Sequence, residues 1–130
     1  MTCYDSSVLI DYLAGEDRAV DFVTAQTDQR SVAPPLVLYE VYQGEVHRSE
    51  RADFDAVESA LEWLTVPETG RSVARMAAEL QASLAREGTP LAARDAFVAG
   101  AAAVWDEPFV VSDADFDVPA LYERLDLTVL

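Results

Sequence analysis

The sequence predicts an α/β fold: one domain whose central, mostly parallel sheet of about four or five short strands is flanked by helices. Three observations carry this expectation. Short apolar segments alternate with longer stretches of helical periodicity, as in a parallel sheet whose strands are joined by crossover helices. No internal repeat, low-complexity segment or proline- or glycine-rich linker divides the chain. Its 130 residues suit one domain, a size that buries roughly two-thirds of the unfolded surface.

Residues 2–5 read as the first strand, ending at Asp5. Ser6 is the expected N-cap of a helix through Leu13 that Gly15 stops, because a serine oxygen accepts from an early helical N–H and glycine takes up the conformation that ends a helix. Val20, Phe22 and Val23 pattern a second helix over Asp17–Ala25. Residues 31–33 make a short buried strand, and the Pro34-Pro35 pair opens a helix to about Ser49, since proline's fixed φ suits a first turn. Phe54, Val57, Ala60, Leu61 and Leu64 recur at helical spacing and predict helix over 52–64, with a third strand at 64–66. Thr69 is the expected cap of a long helix to Arg86, stopped by Gly88. Thr89-Pro90 is expected to open another helix to about Val104. Phe109–Val111 is the fourth strand, and residues 127–130 form a fifth.

Charge is the most unusual global property. Twenty-four acidic residues stand against nine basic ones, all arginine, for a net charge of −15. In ordinary salt such a balance argues against a nucleic-acid partner. At ~1 M ionic strength, however, the screening length falls to ~3 Å and self-repulsion fades. The lysine-free, carboxylate-rich composition therefore reads as that of a halophile's cytoplasmic protein, and informs on solvent more than on ligand. The single cysteine, Cys3, excludes an intrachain disulfide and a cysteine-cluster zinc site, and is expected to be a small buried hydrophobe. The longest apolar run, 97–105, is too short to span a bilayer, and the N-terminus lacks secretory-signal features, so no membrane role and a cytoplasmic location are expected.

Acids at four places in the chain occupy positions that amphipathic patterning does not explain. Asp5 ends the first strand in "CYDSSVLIDYL", a strand-to-helix turn of the kind where open α/β sheets place ligands. Glu40 lies in "PPLVLYEVYQG", with Leu36 and Val37 a turn before it and Gly44 a turn after it leaving open space. Asp95 lies in the first or second turn of "TPLAARDAFVAGAAA", where the helix dipole favours negative charge and Ala92, Val98, Ala99 and Ala102 give a small-residue face. "FVVSDADFD" sets Asp113 and Asp115 after a buried strand, on the edge that Asp5 shares if the strands are parallel. Two such charges ~4 Å apart repel by ~4 kcal/mol at an effective dielectric of ~20, so a converging cluster requires protons or a cation. An all-oxygen donor set suits Mg²⁺ or Mn²⁺, and such an ion at a phosphodiester implies hydrolysis.

In order, "YDSSVLIDYL", "PPLVLYEVYQG", "LAARDAFVAGAA" and "VVSDADFD" resemble the PIN-domain ribonucleases, in particular the toxin half of VapBC-type toxin–antitoxin pairs, over essentially the whole chain. The resemblance implies a PIN-like single domain over residues 1–130 and a Mg²⁺- or Mn²⁺-dependent endoribonuclease. Its catalytic, metal-binding quartet would be Asp5, Glu40, Asp95 and Asp113, with Asp5 and Asp95 the strongest matches and Asp115 an alternative fourth ligand. Ser112 would fill the family's serine or threonine position near the fourth acid. Ser6, Arg94 and Ser112 are the substrate-binding candidates, and Arg48 is a further candidate phosphate contact; surface ion pairs compete with that reading of both arginines. The family also implies a homodimer, a small VapB-type antitoxin covering the pocket, and a structured RNA substrate such as tRNA.

Receiver and phosphatase domains also place carboxylates at strand ends, but they balance phosphoryl charge with a lysine that is absent here. A haloacid-dehalogenase-like phosphatase would also have aspartate where Ser7 stands. The remaining rival is a catalytically inactive PIN scaffold that binds RNA or protein; four filled acid positions weigh against it. His47 and Asp11 read as surface, whereas Trp63, Trp105 and Tyr122 read as core or interface. Helices between Asp17 and Leu64 are the candidate dimerisation surface.

Overall fold

The apolar segments assemble into a parallel sheet in the computed structural model, which describes residues 1–48 and 50–130. Its strands are β1 (Thr2–Tyr4), β2 (Ser31–Val32), β3 (Leu64–Thr65), β4 (Phe109–Val111) and β5 (Leu127–Val129). They lie in the order β3-β2-β1-β4-β5 with every pairing parallel. Cys3 pairs with Val32 on one side and Phe109 on the other. β1 and β4 are buried throughout, as continuous apolar strands covered on both faces must be. From β1 the chain builds outward through β2 to β3, then crosses to β4 on the other side of β1. That reversal opens a crevice beyond the carboxyl ends of β1 and β4.

The connecting helices are α1 (Ser6–Leu13), α2 (Asp17–Ala25), α3 (Pro35–Arg48), α4 (Phe54–Ala60), α5 (Arg71–Arg86), α6 (Ala93–Trp105) and α7 (Pro119–Tyr122). A 3-10 turn at Ala114–Phe116 follows β4. Among the described residues, no helix is long and apolar enough to cross a membrane. Tyr4, fully buried, makes edge-to-face contacts with Phe22 and Trp63 at centroid separations of 6.4 and 6.0 Å. Trp63 therefore belongs to the core periphery, as its sequence context implied.

Several boundaries depart from expectation for local reasons. Asp5, not Ser6, is the N-cap of α1: its backbone is extended, and its carboxylate accepts from the Ser7 N–H at 3.2 Å. Gly70, not Thr69, precedes α5. α4 starts after Asp53, which accepts from the Ala56 N–H at 3.0 Å, and ends at Ala60, so the predicted 52–64 helix is shortened at both ends. α3 reaches Arg48, and its expected end at Ser49 lies outside the described residues. The space beside Gly44 is filled by Ile10, whose side chain would meet an added Cβ at 3.7 Å. α7 and the 3-10 turn were not expected from the sequence.

The largest departure is the start of α6, which begins at Ala93 and not at Thr89-Pro90. Gln81 of α5 accepts from the Leu91 N–H at 2.9 Å and donates back to the Leu91 carbonyl, holding that residue outside the helix. Farther along, α6 presses so closely on α5 that a Cβ on Gly100 would lie 2.8 Å from the Ala77 Cα. Only glycine permits that approach. Gly100→Val should therefore cost about 3 kcal/mol through overpacking, read as a lower urea midpoint at unchanged m value; an unchanged midpoint would show that the helices separate freely.

Candidate active site

Asp5 leaves the central strand at the crevice and is almost completely buried. Its backbone N–H donates to the Val110 carbonyl at 3.0 Å, tying it to β4. Its side chain is divided between two tasks. Oδ2 accepts from the Ser7 N–H and, at 2.7 Å, from the Ser7 hydroxyl, whereas Oδ1 accepts from Arg94 Nη2 at 3.0 Å. The Ser7 Oγ in turn accepts from the Ser112 N–H at 2.9 Å. A chain of hydrogen bonds thus runs from the end of β4 through Ser7 to Asp5. Ser7 was missed by sequence reasoning as a site residue, although its position two residues after an acid at a strand-to-helix turn is the spacing of an aspartate cap.

Two helices bring the other groups to this edge. α3 presents Glu40, half-buried, between the buried Val37 and Val41. α6 contributes Arg94 and Asp95 from its first turn. Arg94 donates to Asp5, to both oxygens of Glu40, to Asp95 Oδ1 and, at 2.8 Å, to the Ser6 hydroxyl. Asp5, Glu40 and Asp95, 35 to 90 positions apart in sequence, are therefore gathered around one guanidinium.

The remaining candidates separate clearly. Asp113 is half-buried at the end of β4, close enough to Asp95 for its charge to bear on that carboxyl. Asp115 is exposed in the 3-10 turn, and its N–H donates to Asp113 Oδ1 at 2.9 Å. Of the two, Asp113 is the one whose charge bears on Asp95. Ser112 joins the network through its backbone N–H. Arg48 lies elsewhere, pairing with Glu45 at 3.4 Å. His47 is exposed, within 3.2 Å of Gln43, and Tyr122 is exposed with its hydroxyl on Asp117.

Burial disfavours charge on Asp95 and Arg94. It pushes the Asp95 carboxyl above the usual range, and Asp5 and Asp113 push the same way, against the lowering effect of Arg94. Burial also works against the Arg94 charge, but the Glu40 bond, the Asp5 field and the bonds to Asp95 and Asp5 outweigh it and hold the guanidinium even more firmly protonated than usual. Cys3, next to this edge, is pushed up to about 12 by burial and by Asp5 and Glu107, which makes it chemically inert.

The donor set is all oxygen and suits a hard divalent ion. Among the described residues, no three acids stand at coordination spacing; the Arg94 guanidinium occupies the position between Asp5, Glu40 and Asp95.

A family model described as "PIN domain" matches residues 2–121. No curated protein matches the chain. Among solved structures, FitAcB from Neisseria gonorrhoeae superposes with a TM-score of 0.80 at 17% identity, covering 98% of this chain and 96% of that one. DNA-bound VapBC from Salmonella typhimurium gives 0.79 at 19% identity, with coverages of 98% and 96%. VapBC-5 from Mycobacterium tuberculosis, described as a member of the VapBC family of toxin–antitoxin systems, gives 0.68 at 24% identity, with coverages of 99% and 96%. These likenesses extend over nearly the whole fold.

Two predictions test the geometry. Ser7→Ala removes both a donor to Asp5 and the acceptor for the Ser112 N–H, and should cost about 2 kcal/mol in urea unfolding; no loss would mean that water replaces the hydroxyl. Asp95 has a raised folded-state pKa, so its ionisation weakens the fold as pH rises through that value and costs nothing below the unfolded pKa. The stability of Asp95→Asn relative to wild type should therefore be greater near neutral pH than below about pH 4, and a constant difference would contradict the assignment.

Proposed function

The chain belongs to the PIN domain family, and on that footing we propose that it is a divalent-metal-dependent endoribonuclease, the VapC-type toxin of a toxin–antitoxin pair. The observation that carries this reading is the convergence of Asp5, Glu40 and Asp95, with Asp113 beside them, at the crevice between β1 and β4. In this reading Asp5 and Asp95 are the principal ligands of Mg²⁺ or Mn²⁺, and Glu40 and Asp113 complete the acid set. An ion held there would supply charge neutralisation at a phosphodiester and activation of water. The chain's own groups do the rest: Ser7 and the Ser112 N–H orient Asp5, and Gln81 fixes the segment that delivers Arg94 and Asp95. Arg94, part-exposed and donating to the buried Ser6 hydroxyl, stands on the solvent side of the cluster, where a phosphate oxygen would arrive.

The substrate in this proposal is a structured RNA, tRNA among the candidates. With a net charge of −15, diffuse attraction cannot hold it. Inner-sphere contact at the acid cluster, shape and a few direct contacts such as that of Arg94 must carry binding, and the composition suits a saline cytoplasm, where diffuse electrostatic attraction to phosphates is weak in any case. Toxin–antitoxin complexes among the structural neighbours support a VapB-type antitoxin as partner. Tyr39, Val46 and Phe54, exposed on α3 and the start of α4, offer apolar surface for a homodimer.

Asp5→Asn and Asp95→Asn should each reduce Mn²⁺-dependent RNA cleavage in high salt at least on the order of 100-fold, while their circular dichroism remains that of the wild type. RNA left intact by the wild type across a wide substrate set, despite metal binding, would instead favour a non-cleaving binding module. Saturating Mn²⁺ should raise the wild-type melting temperature, since the folded site binds the ion and the unfolded chain does not; an unmoved transition would count against the metal.

A further inference from the structure

We propose that Arg94 and a divalent cation are mutually exclusive occupants of the acid cluster, and that the displaced guanidinium becomes the phosphate-binding group of the same site. This rests on the metal-nuclease function proposed for the cluster. The carboxylate oxygens are nearly all in use. Arg94 engages Asp5 Oδ1, both Glu40 oxygens and Asp95 Oδ1. Asp5 Oδ2 is already engaged by Ser7. Of the six oxygens on these three acids, one, Asp95 Oδ2, accepts neither from Arg94 nor from Ser7.

A guanidinium and a hard cation use such oxygens differently. The planar guanidinium fork is satisfied by acceptors at hydrogen-bond distance from its nitrogens. Mg²⁺ demands oxygens at about 2.0–2.1 Å in near-octahedral array. The three acids cannot close to that radius around an ion while Arg94 lies among them, and among the described residues no such grouping exists. Arg94 is able to leave. Its side chain is 29% exposed and that of Glu40 26%, against 1% for Asp5 and 8% for Asp95, so Arg94 and Glu40 form the solvent side of the cluster and the arginine can withdraw outward. Withdrawn, it would remain tethered to the first turn of α6, within a side-chain length of the ion, as the cation suited to grip a phosphate in two-pronged fashion. Resting charge neutralisation and substrate capture would then be successive duties of one side chain.

The test is a calorimetric Mn²⁺ titration of the wild type and of Arg94→Gln, together with nitrogen-15 NMR of the wild-type arginine Nε–H groups during Mg²⁺ addition. The Arg94 signal is identified by its absence from Arg94→Gln. Arg94→Gln should bind Mn²⁺ at least on the order of 10-fold more tightly, and the wild-type Arg94 signal should shift or lose protection as Mg²⁺ saturates. Equal affinities, or an Arg94 signal unmoved at saturation, would overturn mutual exclusion while leaving the metal reading intact. Failure of both proteins to bind Mn²⁺ would overturn the metal reading itself. Should Arg94→Gln not fold, the wild-type NMR titration alone decides, with the Arg94 signal then identified from Arg94→Lys.

Discussion

One guanidinium makes this edge of the sheet tenable. Asp5 and Asp95 are buried, Glu40 is partly so, and their mutual repulsion would drive the helices apart or force protons onto the acids. Arg94 resolves the conflict by donating to all three at once. A lysine ammonium is a compact point charge, whereas guanidinium is a plane with donors along its rim, and only the latter reaches Glu40 through two nitrogens while also meeting acids on two other elements. The absence of lysine from the chain thus agrees with the local geometry, although it reflects the whole surface.

The scaffold around this interaction is built to hold positions. β1 supplies Asp5 and β4 ends beside Asp113 because parallel strands send their carboxyl ends to the same edge. α1 converts Asp5 into a cap, so the carboxylate is fixed by the helix it initiates. Ser7 then couples that cap to the backbone after β4, and Gln81 sets the residue at which α6 can begin. Each device uses a polar side chain to satisfy backbone groups that would otherwise be buried without partners.

Much of this was legible in the sequence, for identifiable reasons. The order of helices and strands followed from apolar periodicity, and Asp5 stood out by its place at a strand-to-helix turn, Glu40 by its apolar surroundings and Asp95 by its place at a helix start beside a small-residue face. What periodicity could not supply were long-range partnerships. Gln81 determines where α6 starts from a residue ten positions earlier, so Thr89-Pro90, a reasonable local start signal, was overruled by tertiary structure. Asp5 displaced Ser6 as the cap because the acid had already taken the extended geometry at the strand's end. Arg94 was identified as a candidate phosphate contact. That it binds three acids together depends on α1, α3 and α6 converging, which no spacing in one chain reveals.

The close seating of Gly100 on Ala77 limits how this edge can move. Two helices in backbone contact slide poorly, so α6 offers no hinge from which to carry Arg94 outward as a rigid body. Any rearrangement of that arginine falls to torsions of its own aliphatic stem. Such motions belong to the picosecond-to-nanosecond regime for exposed side chains, far faster than helix or domain displacement. Breaking the ion pairs, with no refolding of the surrounding backbone, would then set the pace at which this surface responds to changes in its ionic surroundings.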